Sequence, residues 1–205
     1  FTDDHGWSDL GRQGIRQDLR TPHLDALADG GVRMSSGYVT APQCVPSRAG
    51  LLTGKYQPRF GVESNRSTLD AFNRQPTIAE RLRAAGYTTG MAGKWHLGPV
   101  REITAHGFDD VYCTQGRPWA NFDLEGNSRE GGYVADSPYH LDANSAAAVA
   151  FIQRHHDRPF FFYLAYRAPH VWRGAPEKYL DRFPGEMPRR RRQALAMLSA
   201  VVNKT

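Results

Sequence analysis

Apolar residues along this chain fall into strand-length runs that are separated by stretches with helical spacing. Residues 159–166 are almost continuously apolar, which favours a central strand of a parallel sheet that is covered on both faces. Residues 87–91 predict a second strand. Residues 32–39 predict a further strand or extended segment, and residues 1–4 look like the tail of a strand whose beginning is missing.

Helix signals lie between these runs. Residues 21–28 begin with Thr-Pro, a cap followed by a first-turn proline, and residues 77–85 open with a Thr-x-x-Glu capping box. Residues 141–155 and 189–202 carry apolar positions at helical spacing, whereas residues 99–138 show little periodicity and predict loops. Strands that alternate with helices predict an α/β fold, with a mainly parallel sheet sandwiched by helices.

The stretch 44–54 carries the first candidate for chemistry. Pro46 fits the first turn of a helix and Gly54 its end, which places Cys44 just before the helix N-terminus. Unpaired backbone N–H groups at that position favour an anion, and Arg48, one turn further on, adds a cation for a tetrahedral oxyanion. A buried cysteine before an ordinary helix is the alternative that these residues leave open.

Further polar candidates follow the predicted strands, where ligands of α/β sheets gather in loops at the carboxyl ends. They are Asp3 and Asp4 after the first strand, Lys94 and His96 after a middle strand, and His170 after the Phe-rich strand. Paired carboxylates suit Ca²⁺ or Mg²⁺, although such a pair is more often a solvated turn. Histidine suits proton transfer near neutral pH.

Charge and cysteine content narrow the possible partners. The formal charge is +5, and much of the excess comes from the four arginines 189–192. No aromatic residues interleave with that run, so we expect a solvated helix face and no nucleic-acid partner. The two cysteines predict no disulfide framework, since pairing them would consume Cys44. We also expect no membrane span, because no apolar run has the necessary length.

Three motifs carry a resemblance to a known family. Cys-x-Pro-Ser-Arg-x-x-x-Leu-Thr-Gly at 44–54 resembles the signature of type I, formylglycine-dependent sulfatases of the alkaline-phosphatase-like superfamily. Gly-Lys-Trp-His-Leu-Gly at 93–98 is similar to the second signature of that family, and Asp-Asp-His-Gly at 3–6 matches its Asp-Asp-x-Gly run. The resemblance implies that residues 1–205 are the N-terminal portion of a single catalytic domain, truncated and incomplete at both ends.

The resemblance also implies an enzyme, a sulfuric ester hydrolase of arylsulfatase or glycan sulfatase type, and a role for each motif residue. Cys44 would be oxidised to formylglycine by a maturation enzyme, and its hydrate would attack sulfur while Arg48 steadies it. Lys94 would bind the sulfate oxygens, and His96 would help to handle protons at the hydrate. His170 would contact sulfate and act as a candidate general acid for the leaving alcohol.

A divalent metal completes the implied site. Asp3, Asp4 and Cys44 as formylglycine hydrate would be ligands of Ca²⁺, with Mg²⁺ as a possible substitute. Further ligands in the family come from sequence beyond this region, so we expect weak metal binding and little turnover from these 205 residues alone. The substrate would be a sulfated small molecule or glycan, and the family suggests export from the cytoplasm.

Two other functions are open at this stage. One is a phosphoester or phosphonate monoester hydrolase of the same superfamily, which can share the modified cysteine. The other is an inactive sulfatase-like fragment that only binds anions. Turnover of aryl sulfate compared with aryl phosphate separates the first alternative from a sulfatase.

Overall fold

The computed structural model of the chain describes residues 1–170 and 174–202, with only the backbone of Val202. These residues form two compact units. One unit is residues 38–165, and the other combines residues 1–37 with the described part of 166–205.

A five-stranded mixed sheet organises residues 38–165, in the order β4-β3-β2-β1-β5. The strands are β1 (Thr88–Gly93), β2 (Asp110–Cys113), β3 (Trp119–Phe122), β4 (Ser128–Tyr133) and β5 (Phe160–Ala165). β1 pairs in parallel with β2 and β5, while β3 pairs antiparallel with β2 and β4. The predicted α/β class, with helices between parallel strands, is confirmed.

Helices cover both faces of this sheet because alternate strand residues enter opposite cores. Met91, Val111 and Tyr163 join one core with residues of α2 (Cys44–Thr53) and α3 (Ile78–Ala84). Their neighbours join the other core, with three alanines of α4 (His140–His155). The members of that second set are Ala92, Tyr112 and Leu164 from the strands, and Ala143, Ala147 and Ala150 from α4.

Three predictions about the strands are wrong. Residues 32–39 contain no strand, because no strand in the described part of the chain pairs with them. Val32, Met34 and Tyr38 are also largely exposed. Residues 99–138 are not only loops, because they contain β2, β3 and β4. Every β4 residue is exposed or only partly buried, so its sequence need not alternate. The Phe-rich β5 lies at one end of the strand order rather than at its centre.

In the other unit, the first residues run beside the chain that follows β5. The Tyr166 N–H donates to the carbonyl of Phe1, and the Asp3 N–H donates to that of Ala168, each at 2.9 Å. Asp3 also forms an isolated parallel bridge with Pro169, next to a cis Ala168–Pro169 peptide. The predicted first strand is thereby reduced to one bridge.

The helices of that unit are α1 (Pro22–Asp29), α5 (Glu177–Leu180) and α6 (Arg189–Val202). Leu195 and Leu198 of α6 pack against Leu19. Of the four arginines in α6, Arg191 pairs with Asp18, and the first two are exposed, as expected for a solvated face. Within the described ranges, no helix has both the length and the apolar character that crossing a bilayer requires.

Candidate active site

Cys44 is the first residue of α2 rather than the residue before it. Gln43 occupies the cap position in an extended conformation, and Gly54 ends the helix in the left-handed region at φ 66°. The Val45 N–H donates to Oδ1 of Asn65 at 2.9 Å, and the Asn65 N–H donates to Oε1 of Gln43 at 2.7 Å. These paired contacts fix the start of the helix, and sequence reasoning missed Asn65 because it lies 20 residues from Val45, in a polar loop.

Arg48 links α2 to the carboxyl end of β1. Its side chain is 1 % exposed, and Nη1 donates to the Lys94 carbonyl at 2.6 Å and to Oη of Tyr163 at 3.3 Å. Residues four apart on a helix share a face, so Arg48 lies one turn from Cys44 on the same side of α2. Hydrogen bonds from a charged donor contribute roughly 1.5–3 kcal/mol each, so this guanidinium stabilises the loop that carries Lys94.

Lys94 and His96 follow the carboxyl end of β1, as the sequence predicted. Lys94 is buried, and its N–H donates to the Ala165 carbonyl at 2.8 Å. A Cβ on Gly93 would lie 2.0 Å from that same carbonyl oxygen, and φ there is +109°, so only glycine fits before Lys94. The His96 N–H donates to Oε1 of Gln115 at 2.5 Å.

Cys113, the second cysteine, is not a nucleophile. Burial raises the pKa of its thiol to about 11, so the sulfur is protonated at neutral pH. Neither cysteine forms a disulfide, as expected, and Cys44 is only partly buried. The two thiols therefore differ in exposure, because Cys44 is partly buried and Cys113 is buried.

Asp3, Asp4 and His170 come together in the unit that contains both chain ends. The Asp3 side chain is buried, and one of its carboxylate oxygens lies within 4.8 Å of a His170 ring nitrogen. Asp4 Oδ2 lies 3.7 Å from Nε2 of His170, and its side chain is half exposed. The two aspartates offer hard carboxylate oxygens, the ligand type that hard divalent cations prefer. This donor set therefore fits a divalent cation such as Ca²⁺ or Mg²⁺.

Backbone strain marks two of the predicted site residues. Among the residues that the structure describes, Asp4 and His96 are the two non-glycine residues with positive φ, at 60° each. A left-handed conformation costs an L-residue about 1–2 kcal/mol. Such residues collect at functional sites, where the surrounding structure holds them in place. The sequence motifs single out both residues for chemistry.

Comparisons with known proteins point to one family. The family model described as Sulfatase matches residues 1–203. Arylsulfatase J of Mus musculus is 33% identical over 230 residues, which cover 98% of this chain and 37% of that protein. The chain thus spans well under half of the length of that relative.

Two solved structures share the fold. The structure of Ps i-CgsB in complex with k-i-k-neocarrahexaose superposes with a TM-score of 0.81 at 31% identity, over 98% of this chain and 51% of that one. The structure of BT4656 in complex with its substrate D-glucosamine-2-N,6-O-disulfate has a TM-score of 0.73 at 30% identity, over 89% of this chain and 36% of that one.

Proposed function

The chain belongs to the sulfatase family of the alkaline-phosphatase-like superfamily, and we propose that it supplies the nucleophile, a sulfate-binding lysine and metal-binding carboxylates for sulfate monoester hydrolysis. One observation carries the proposal. The two left-handed non-glycine residues in the described part of the chain, Asp4 and His96, both belong to motifs of this family. A constraint at a reaction site accounts for both conformations.

We assign the nucleophile to formylglycine made from Cys44, whose hydrate would supply the attacking hydroxyl. A sulfate monoester is an anion, so its oxygens need fixed positive charge. The buried Lys94 ammonium provides one such charge, and Arg48 provides a second while it anchors the Lys94 backbone. His96 would exchange protons with the hydrate. The half-buried position of Cys44 and the Arg48–Lys94 contact support these assignments.

The family implies a metal, and we propose Ca²⁺, with Mg²⁺ as a possible substitute. Asp3 and Asp4 would hold it, and the buried Asp3 carboxylate is the strongest support. The cation would neutralise charge on the sulfate group. His170, within 4.8 Å of Asp3 and 3.7 Å from Asp4, would contact sulfate and protonate the leaving alcohol.

The substrate, the partner and the location are parts of the same proposal. An arylsulfatase relative and a neighbour that was solved with D-glucosamine-2-N,6-O-disulfate support a sulfated small molecule or glycan. A formylglycine-generating enzyme would mature Cys44. The similarity to sulfatases also supports export. Residues 1–205 would be the N-terminal portion of one catalytic domain that needs further sequence for full activity.

The test uses protein expressed from its complete gene together with a formylglycine-generating enzyme. Mass spectrometry should show an aldehyde at position 44, and aryl sulfate should be hydrolysed in preference to aryl phosphate. Cys44→Ala should lower the rate by at least about 10³-fold. Leu51→Ala, a change at an exposed position of the same helix, should leave it unchanged. A strong preference for phosphate would favour a phosphoester hydrolase, and a persistent thiol would remove the proposed nucleophile.

Metal binding has a separate test. Chelation should abolish hydrolysis, and Ca²⁺ should restore it better than Mg²⁺. Calorimetric titration with Ca²⁺ should show weaker binding in Asp3→Asn than in the parent protein. Unchanged calcium affinity in that variant would contradict the assignment of Asp3.

A further inference from the structure

We propose that Gln115 is a positioning residue for His96. Its side chain accepts a hydrogen bond from the His96 N–H and so fixes the backbone that carries the imidazole. The inference rests on the proposed function, because it assigns a support to a residue of that site. Gln115 lies two residues beyond β2 and belongs to none of the motifs that identify the family. Its side chain is half-buried.

The central contact is the hydrogen bond from the His96 N–H to Oε1 of Gln115, at 2.5 Å. His96 lies three residues beyond the end of β1, so its amide is outside the sheet ladder, and its own backbone is left-handed. Two residues earlier, the Lys94 N–H still pairs with the Ala165 carbonyl of β5. Gln115 thus provides the acceptor at the point where the sheet provides none, and an unmet amide would favour a different backbone at His96.

Gln115 can act in this way because its own backbone is held. Thr114 is buried, and its N–H donates to the Gly93 carbonyl at 3.0 Å. The Thr114 hydroxyl donates to Oδ1 of Asn144 at 2.9 Å, and Asn144 lies fully buried in α4. The residue before Gln115 is therefore fixed both to the end of β1 and to the helix that covers the sheet.

Cys113 lies between the two loops. The backbone amides of Trp95 and Gln115 each lower the pKa of its thiol against the larger effect of burial, so both amides lie close to the sulfur. Trp95 immediately precedes His96 and is fully buried. The pairing of Cys113 with Gly93 and the hydrogen bond from the Thr114 N–H to the Gly93 carbonyl hold the loop after β2 next to the loop after β1, which brings Gln115 within reach of the His96 amide.

Two substitutions separate positioning from packing. Gln115→Met keeps the length of the side chain and removes the acceptor, whereas Gln115→Glu keeps an acceptor oxygen. In the matured enzyme, Gln115→Met should lower kcat for aryl sulfate by about 10- to 100-fold, in the range of other residues that orient a reacting group. KM should stay unchanged, and Gln115→Glu should recover most of kcat. Wild-type kcat in Gln115→Met, or an equal loss in Gln115→Glu, would overturn the proposal.

A second measurement does not depend on catalysis. In ¹H–¹⁵N spectra, the His96 amide should shift strongly in Gln115→Met and only slightly in Gln115→Glu. Gln153→Met, at an exposed position of α4, should leave that amide unchanged. If the wild-type protein hydrolyses no sulfate ester, the proposed function fails, but the amide shift still decides whether Gln115 holds His96. An unchanged His96 amide in Gln115→Met would overturn the inference.

Discussion

Gly90 in the middle of β1 makes room for two aromatic rings. A Cβ on this residue would lie 2.5 and 2.7 Å from ring carbons of Phe151 and 2.9 Å from one of Phe162, where ordinary contact begins at 3.4 Å. Phe151 belongs to α4 and is fully buried. Its ring centroid lies 4.5 Å from that of Phe162. Gly90→Ala therefore requires both rings to move by several tenths of an ångström in a core with little free volume.

We expect Gly90→Ala to lower the free energy of unfolding by about 1–3 kcal/mol, the usual cost of overpacking. The loss of chain freedom in the unfolded state offsets roughly 0.4–1 kcal/mol of the gross strain. The net loss is a sizeable fraction of the free energy of unfolding of a typical domain, which is about 5–15 kcal/mol. The change should appear as a lower urea midpoint, with no change in the slope of the transition.

Gly132→Ala is the matched control, because the nearest atom to its added Cβ lies 3.9 Å away. That variant should stay within about 0.5 kcal/mol of the parent. Phe151→Leu in the Gly90→Ala background should be less harmful than the two single effects combined, with a coupling of about 1 kcal/mol or more. Additive effects, or a Gly90→Ala variant as stable as Gly132→Ala, would refute this account of the sheet–helix packing.

Three further predictions concern reactivity, pH and helix capping. At pH near 8, iodoacetamide should modify unmatured protein at Cys44 and not at the buried Cys113, and peptide mass spectrometry would reveal the opposite result. Burial lowers the pKa of His106 below 6.5, so the folded state should lose stability as pH falls from 6.5 toward that lowered value. In urea titrations, His106→Gln should weaken this loss, and an identical pH dependence would contradict it. Thr77→Ala should lower the free energy of unfolding by about 1–2 kcal/mol, because Thr77 caps α3, and Glu80→Gln should lower it much less. Equal urea midpoints for these two variants would argue against the cap.

Local signals in the sequence predicted the start of α3 and the end of α2, whereas Thr21, the predicted cap of α1, makes no capping hydrogen bond with its side chain. Thr77 accepts from the Glu80 N–H at 3.1 Å, and Glu80 accepts from the Thr77 N–H at 2.8 Å, so the capping box forms as predicted. Both bonds join residues three apart, which is why sequence alone sufficed. Gly54 likewise ends α2 in the left-handed region that glycine favours. The start of α2 was misplaced by a residue or two, since Pro46 fits more than one position of a first turn.

Strand predictions fared less well because pairing partners lie far apart in sequence. The antiparallel strand β3 is only four residues long, and every residue of β4 is exposed or only partly buried, so no apolar run marks either strand. Residues 32–39 have strand-like composition, yet no strand in the described part of the chain pairs with them. Apolar character alone does not make a strand when the hydrogen-bonding partner is missing.

The sequence by itself determined which candidate side chains are local neighbours: a cysteine with an arginine one turn later, a lysine and a histidine two apart, and two adjacent aspartates. Spacing within one motif sets those relations, since a helix turn or a loop residue decides which side chains are neighbours. Only the tertiary structure decided that Tyr163 contacts Arg48 across 115 residues, and that Gln115 accepts from His96 across 19. Such contacts depend on which strands are adjacent and in which register, and no single segment of the chain contains that information.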